Sequence, residues 1–288
     1  MPKFFYSRGL LPVLVYLSLC LVCAEASTLR INQPKIRLFI PPGGAQAGVI
    51  EVDNTSEDTL QVKAYLEDWA YAPLGDGTKT FSPSGQVPFS ASPWISFSPA
   101  EFVIPPFGRQ IVNYRVKIPE GAAGGHYSVL FFESSFGEKD SSEGVGMNLV
   151  VRIGSLFYIE PEGTTIRAAE ASNLLVKRRG HALEIKADLK NTGNVDSTCA
   201  GTFHIMDEQG MVIARGEFNK VYTLPGDSVQ LVSSTQEVIS EGRYDLVITL
   251  DLGKALDETG QGRGPVITKE ASIDISEIGE VIKVGEKG

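Results

Sequence analysis

Residues 112–131, VNYRVKIPEGAAGGHYSVLF, carry the pattern that decides the fold. Apolar side chains occupy every second position in two short runs, and a glycine-rich stretch at residues 121–125 separates the runs. The first run holds Val112, Tyr114, Val116 and Ile118, and the second holds Tyr127, Val129 and Phe131. Successive side chains of a β-strand point to opposite faces, so this spacing is typical of strands that bury one face. The stretch predicts two strands joined by a turn.

The same alternation recurs along the chain from Leu29 onward. Short apolar runs at residues 36–40, 49–52 and 60–66 are separated by clusters of Pro, Gly, Asn and Asp. Many short strands with such turns are typical of antiparallel sandwiches or barrels. Only residues 166–176 favour a short helix. The sequence therefore predicts an all-β fold.

The pattern is interrupted near residues 161–163 and restarts at Leu183. Each half then has the length of an ordinary domain. The second half shows an order of strands and turns that is common in immunoglobulin-like (Ig-like) modules. We therefore expect two Ig-like β-sandwich domains in tandem, at residues 27–161 and 162–276, followed by a polar tail at residues 277–288.

The N-terminal residues have the features of a secretory signal. Lys3 and Arg8 precede an apolar stretch at residues 10–22, and Ala-Glu-Ala at residues 24–26 gives the small-x-small pattern of a cleavage site. We expect residues 1–26 to be removed and the mature chain to be exported, to the periplasm or the cell surface. The alternative is an uncleaved membrane anchor, which the short apolar run disfavours. No later stretch is apolar for long enough to cross a bilayer.

Composition disfavours several functional classes. The 288 residues carry a formal net charge of −9 and no basic block, which argues against a nucleic-acid partner. The three histidines are far apart in sequence, and the common catalytic and phosphate-binding motifs are absent, so we expect no metal, no cofactor and no enzymatic activity. Two of the three cysteines lie in the leader, which leaves Cys199 without an internal disulfide partner. Binding or scaffolding is favoured.

One alternating segment stands out as a candidate binding element. It follows a polar stretch at residues 136–144, and its apolar residues are Val145, Met147, Leu149, Val151 and Ile153. As a core strand, this stripe would pack inside the sandwich. As an edge strand, it would offer unpaired backbone groups and alternate side chains to a partner that lacks a strand. Both interpretations remain open at the level of sequence.

Two segments carry a resemblance to a known family. KIRLFIP at residues 35–41 and RIGSLFYIEP at residues 152–161 resemble the first strand and the end of the last first-domain strand of periplasmic pilus-assembly chaperones, the PapD-like family. This resemblance covers most of the first domain. It implies donation of an edge strand to pilus or surface-fibre subunits, and it adds an outer-membrane usher as a candidate partner.

In that family, two basic residues of the interdomain cleft bind the C-terminal carboxylate of the subunit. The first matches Arg37, for which an internal salt bridge is the alternative role. The second, a lysine, falls where this chain has Gly154 or Ser155. Arg152 lies nearby and is the candidate substitute. The predicted partner-binding residues are Arg37, Val145, Met147, Leu149, Val151 and Arg152.

A weaker resemblance points to a different role. Pro-Trp-Ile at residues 93–95 and the segment at residues 118–127 look like Ig-type modules of bacterial envelope proteins, including the domain of unknown function of WxL-associated surface proteins. The alternative function is therefore a structural or adhesive envelope protein that binds a surface protein or polymer.

Overall fold

A computed structural model describes residues 28–136, 149–253, 265–276 and 281–287. The expected signal peptide lies outside the described residues, as do Val145 and Met147 of the alternating stripe. The described residues form nineteen β-strands and one 3-10 turn at Ser92–Trp94. The predicted all-β fold, with two β-sandwich domains in tandem, is confirmed. No helix in these ranges is long and apolar enough to span a membrane.

Ten strands build the first domain. They are β1 (Leu29–Ile31), β2 (Lys35–Ile40), β3 (Ala45–Asn54), β4 (Leu60–Tyr71), β5 (Lys79–Pro83), β6 (Ile95–Ser98), β7 (Glu101–Ile104), β8 (Arg109–Lys117), β9 (His126–Phe136) and β10 (Leu149–Pro161). One sheet has the order β1-β3-β8-β6, and the other has the order β2-β10-β9-β4-β5, with β7 paired to β4. The pairing of β2 with β10 is parallel, and the others are antiparallel.

The two sheets of the first domain face each other across an apolar core. In β8, Val112, Tyr114 and Val116 point into it, as their spacing predicts. In β9, Leu130 and Phe132 point into it. The alternate residues of β9 pack on the opposite side of the same sheet, in a second cluster with Trp69 and Tyr158. Both faces of this sheet are therefore covered near its centre.

Nine strands build the second domain. They are β11 (Ala169–Arg179), β12 (Ala182–Asn191), β13 (Ser197–Met206), β14 (Val212–Glu217), β15 (Val221–Thr223), β16 (Ser228–Ser234), β17 (Gly242–Asp251), β18 (Val266–Ile275) and β19 (Val281–Lys287). The sheet β11-β12-β16 packs on the sheet β14-β13-β17-β18-β19, and β15 pairs with β13. The buried Cys199 lies in this core.

The structure differs from the sequence-based expectation in two segments of the second domain. The short helix expected at residues 166–176 is absent, because Ala169–Arg179 pairs with β12 as a strand. A bulge at Ser172/Leu175, with Asn173 at a φ of 52°, breaks the alternation of β11 and obscured the strand pattern. The expected polar tail contains β19, which pairs antiparallel with β18.

Candidate functional site: the open edge of β10 and the interdomain cleft

The first half of β10 forms an open sheet edge. On one side, β10 pairs with β9 from Leu149 to Ile159. On its other side, β2 pairs with β10 only from Leu156 to Pro161. Among the described residues, no strand pairs with this second side of β10 at residues 149–154. Backbone N–H and C=O groups at such an edge are available to a strand from another chain.

The side chains along this edge alternate between two environments. Ile153 packs against the core of the first domain, and Val151 is half-buried on the same side of the sheet. Val150 points to the opposite side and is 49% exposed. The side chains of Val151 and Ile153 thus lie at the border between the core of the first domain and the open edge of β10.

Arg152 lies on the outer face of the same sheet. Its guanidinium stacks over the ring of Phe131, with 4.1 Å from Cζ to the ring centroid, and its Nη1 lies 3.2 Å from Glu67 Oε1. Arg152 is opposite Glu133 in β9, whereas Arg37 of β2 is aligned with Tyr158. Six residues along a strand correspond to about 20 Å. The structure therefore does not bring Arg152 and Arg37 together.

Arg37 lies between the two domains in a buried ion-pair network. Its side chain is 5% exposed and contacts the carboxylates of Glu160 and Asp196, with 2.9 Å between Nη2 and Asp196 Oδ2. Arg167 completes the network, since its Nη2 lies 2.9 Å from Glu160 Oε2 and its Nη1 donates to the Asp196 carbonyl. Tyr127 Oη accepts a hydrogen bond from the Asp196 backbone N–H at 2.5 Å. Two cations and two anions thus join the domains.

The electrostatics of the network keep Arg37 charged. Burial alone would lower its pKa, but the charges of Asp196 and Glu160 raise it above the usual value. Burial raises the pKa of Tyr127 well above its usual value, and the negative charge of Asp196 acts in the same direction. Nη1 and Nη2 of Arg37 are therefore engaged by carboxylates of its own chain, whereas its Nε is buried without a hydrogen-bond partner among the described residues.

The two positions at which the resemblance places a lysine, Gly154 and Ser155, leave no space for one in this chain. A Cβ atom at Gly154 would lie 2.6 Å from Val129 Cγ2 and 2.8 Å from Phe131 Cε1, and both of these side chains are buried. Ser155 is fully buried, and its hydroxyl donates to the Gln33 carbonyl at 2.7 Å. Neither position has room for a lysine side chain that reaches the cleft.

Beside the network, the cleft encloses a cavity of about 300 Å³. Lysines from both domains line it: Lys35 and Lys79 come from the first domain, and Lys220 comes from the second. The sequence analysis did not select these lysines, because they are isolated in sequence and only the approach of the two domains brings them together. The sequence analysis did not select Asp196 either, because it is 159 residues from Arg37 in sequence and only the fold brings the two together.

No protein-family model matches the sequence, and no curated protein matches it. Several solved structures do match the chain. A chain from a chaperone–tip adhesin complex of CFA/I fimbriae is 12% identical, with a TM-score of 0.48, over 85% of this chain and 98% of that one. The class 5 fimbriae chaperone CfaA is 13% identical, with a TM-score of 0.48, over 83% and 98%. A chain from the Salmonella enterica SafA pilin–SafB chaperone complex is 11% identical, with a TM-score of 0.40, over 85% and 96%. Each of these three solved structures comes from a fimbrial chaperone system.

Proposed function

We propose that the chain is an exported chaperone-like protein that binds pilus or surface-fibre subunits by donating the open edge of β10. The observation that carries the proposal is the unpaired side of β10 at residues 149–154. This segment contains the last three residues of the alternating stripe, Leu149, Val151 and Ile153. The proposal agrees with the resemblance of residues 35–41 and 152–161 to pilus-assembly chaperones. The leader at residues 1–26 directs the chain to the periplasm in this proposal.

The mechanism is β-strand addition. A subunit with an open groove pairs its backbone with that of β10, while Val145, Met147, Leu149 and Val151 fill successive pockets of the groove. Binding stabilises the folded subunit by mass action, so no nucleotide or metal is needed.

Strand pairing supplies most of the binding energy in this proposal, because Arg37 is already engaged. A subunit carboxylate would reach Arg37 only by displacing Glu160 or Asp196, and an uncompensated buried carboxylate costs several kcal/mol. Arg152 lies beside the open edge rather than in the cleft, so its role would be a contact with the subunit surface next to β10.

The test is capture of a defined subunit. The chain is co-expressed in the periplasm with a tagged candidate fibre subunit, and the complex is purified on the tag. We expect the double variant Met147→Asp/Leu149→Asp to lose capture, because charged side chains cannot enter apolar pockets. The matched control is Val150→Asp, which places the same charge on the opposite side of the strand and should retain capture.

Circular dichroism and hydrogen exchange decide between the two roles of the stripe. The amides of residues 149–154 that face the open edge should exchange rapidly in the free chain and slowly in the complex, whereas the alternate amides bonded to β9 should be protected in both. If the double variant is unfolded, or if the edge-facing amides are protected to the same degree in the free chain, the stripe is a core element and the proposal is wrong.

A further inference from the structure

The chain crosses from one sheet of the first domain to the other just before β2. The strand β1 pairs with β3, whereas β2 pairs with β10. The crossover at residues 32–34 is hydrogen-bonded to both sheets. Asn32 exchanges two hydrogen bonds with the Glu51 backbone, of 3.2 Å and 2.9 Å, and the Leu156 N–H donates to the Pro34 carbonyl at 2.9 Å. The open edge of β10 begins immediately beyond this last bond.

A straight continuation of β2 would cover that edge. The parallel register aligns Lys35 with Leu156, so residues 28–33 would lie beside residues 149–154 if they continued the strand. Because the Leu156 N–H points towards β2, the alternate N–H groups before it in β10 point towards the open edge. These edge-facing amides belong to Val150, Arg152 and Gly154. The chain thus has, directly before β2, a segment of the right length to close its own edge.

The apolar pattern opposes this pairing. The strand β1 buries Leu29 and Ile31, whereas β2 buries residues 36, 38 and 40. The buried positions change from odd to even numbers across the crossover, so a continuous strand would turn residues 29–32 to the wrong faces. Arg30, whose side chain is 67% exposed, and Asn32 would then enter the core. A buried charge without a partner is strongly unfavourable.

Pro34 is a second obstacle to closure. In the continued ladder, the N–H of residue 34 would donate to the Gly154 carbonyl. Proline has no N–H, so the ladder stops at the position of its first missing bond. The Ser155 hydroxyl donates to the Gln33 carbonyl at 2.7 Å and holds the chain where it leaves the sheet. The apolar pattern and the proline thus oppose the same pairing independently.

We propose that Pro34 and the change of phase between β1 and β2 keep the edge of β10 open, because they prevent the N-terminal strand of the same chain from closing it. An unpaired edge accepts any strand that fits, and a segment of the same chain has a high effective concentration there. Residues 29–34 are therefore positioning residues, whose role requires no contact with a subunit. The inference rests on the proposed function only in that the open edge receives a subunit.

A variant that removes both obstacles tests the inference. Deletion of Pro34 brings Leu29 and Ile31 into the phase of β2 and restores a backbone N–H at the blocked position. Arg30→Thr is combined with the deletion, so that no second arginine lies beside Arg152 in the closed pairing. The matched control is Arg30→Thr alone, which keeps the proline and the phase change.

Hydrogen exchange of the free chain, followed amide by amide by NMR, measures closure. The edge-facing amides should exchange rapidly in the unaltered chain and in the control. In the deletion variant they should exchange roughly a hundredfold more slowly, because they are bonded to the continued strand. The amides of β17 in the second domain should exchange alike in all three proteins.

A second variant keeps the chain length and is used if circular dichroism shows that the deletion variant is unfolded. Arg30→Leu/Asn32→Ile/Pro34→Thr places apolar side chains at the core-facing positions of the closed pairing and also restores the N–H. Rapid exchange of the edge-facing amides in the folded variant overturns the inference. Failure of both variants to fold overturns it as well, because the closed pairing is then not an available state.

The inference and the proposed function fail separately. A variant with slow exchange at the edge should lose subunit capture. Slow exchange with intact capture would reject strand donation by this edge and leave the inference standing. Rapid exchange in the variants, with capture intact, would reject the inference alone.

Discussion

Arg37 illustrates how one residue acquires a role that its strand position does not reveal. In β2 it follows a buried isoleucine and precedes a buried leucine, so its alternation directs it to the outer face of the sheet. There it contacts Glu160 of the parallel neighbour β10 and Asp196 of the second domain. The sequence predicted a basic cleft residue at this position and left open whether its carboxylate partner was internal or external.

Removing Arg37 should destabilise the protein strongly. In Arg37→Ala, two carboxylates that are 2% exposed lose a cation, and breaking a buried pair in this way costs about 3–5 kcal/mol. Both tryptophans belong to the first domain, so urea unfolding followed by tryptophan fluorescence measures the loss there. Arg30→Ala, which breaks an exposed ion pair with Asp53 in the same domain, is the control and should differ little from the unaltered chain. Equal midpoints for the two variants would contradict the structural role of the network.

At the scale of the element, strand prediction succeeded where one face is buried. From Val112 to Val116 in β8 and from Leu183 to Leu189 in β12, every second residue is apolar and buried. The prediction failed in β11, where a bulge shifts the register, and at β19, where seven residues gain strand structure from the free edge of β18. In both cases, pairing with the adjacent strand in sequence overrides the local pattern.

The strand β19 makes a testable contribution to the second domain. Deleting residues 277–288 leaves β18 paired only with β17 and exposes its other edge. We expect faster amide exchange in β18 and β17 and greater aggregation, because an unpaired edge recruits other chains. Peptide-level hydrogen exchange measures both domains separately, and exchange in β3 and β8 of the first domain should stay the same. Unchanged protection of β18 would show that β19 adds no stability.

At the scale of the whole molecule, two kinds of side-chain contact fix the relative position of the domains, in addition to backbone hydrogen bonds such as that from the Tyr222 N–H to the Gly75 carbonyl at 2.8 Å. One is the ion-pair network of Arg37. The other is apolar: Leu224 of the second domain is 6% exposed and packs in the cluster of Trp69, Tyr127 and Tyr158. Tyr222 adds a ring contact with Tyr71, at 5.6 Å between centroids. No local sequence pattern could predict the contacts of Arg37 with Asp196, Leu224 with Trp69 or Tyr222 with Tyr71, because each joins residues from different domains.

The apolar contacts should determine how rigidly the cleft is held. In Tyr222→Ala/Leu224→Ala, the second domain loses two side chains that cover the outer face of the first, while the two cores keep their own residues. We expect a larger radius of gyration in small-angle scattering and a red shift of tryptophan emission as Trp69 gains access to water. The control Met211→Ala/Val212→Ala truncates two exposed residues of the second domain and should leave both observables unchanged. If scattering and emission of the first variant match those of the control, the apolar contacts do not determine how the cleft is held, and the ion pairs and interdomain backbone hydrogen bonds are sufficient.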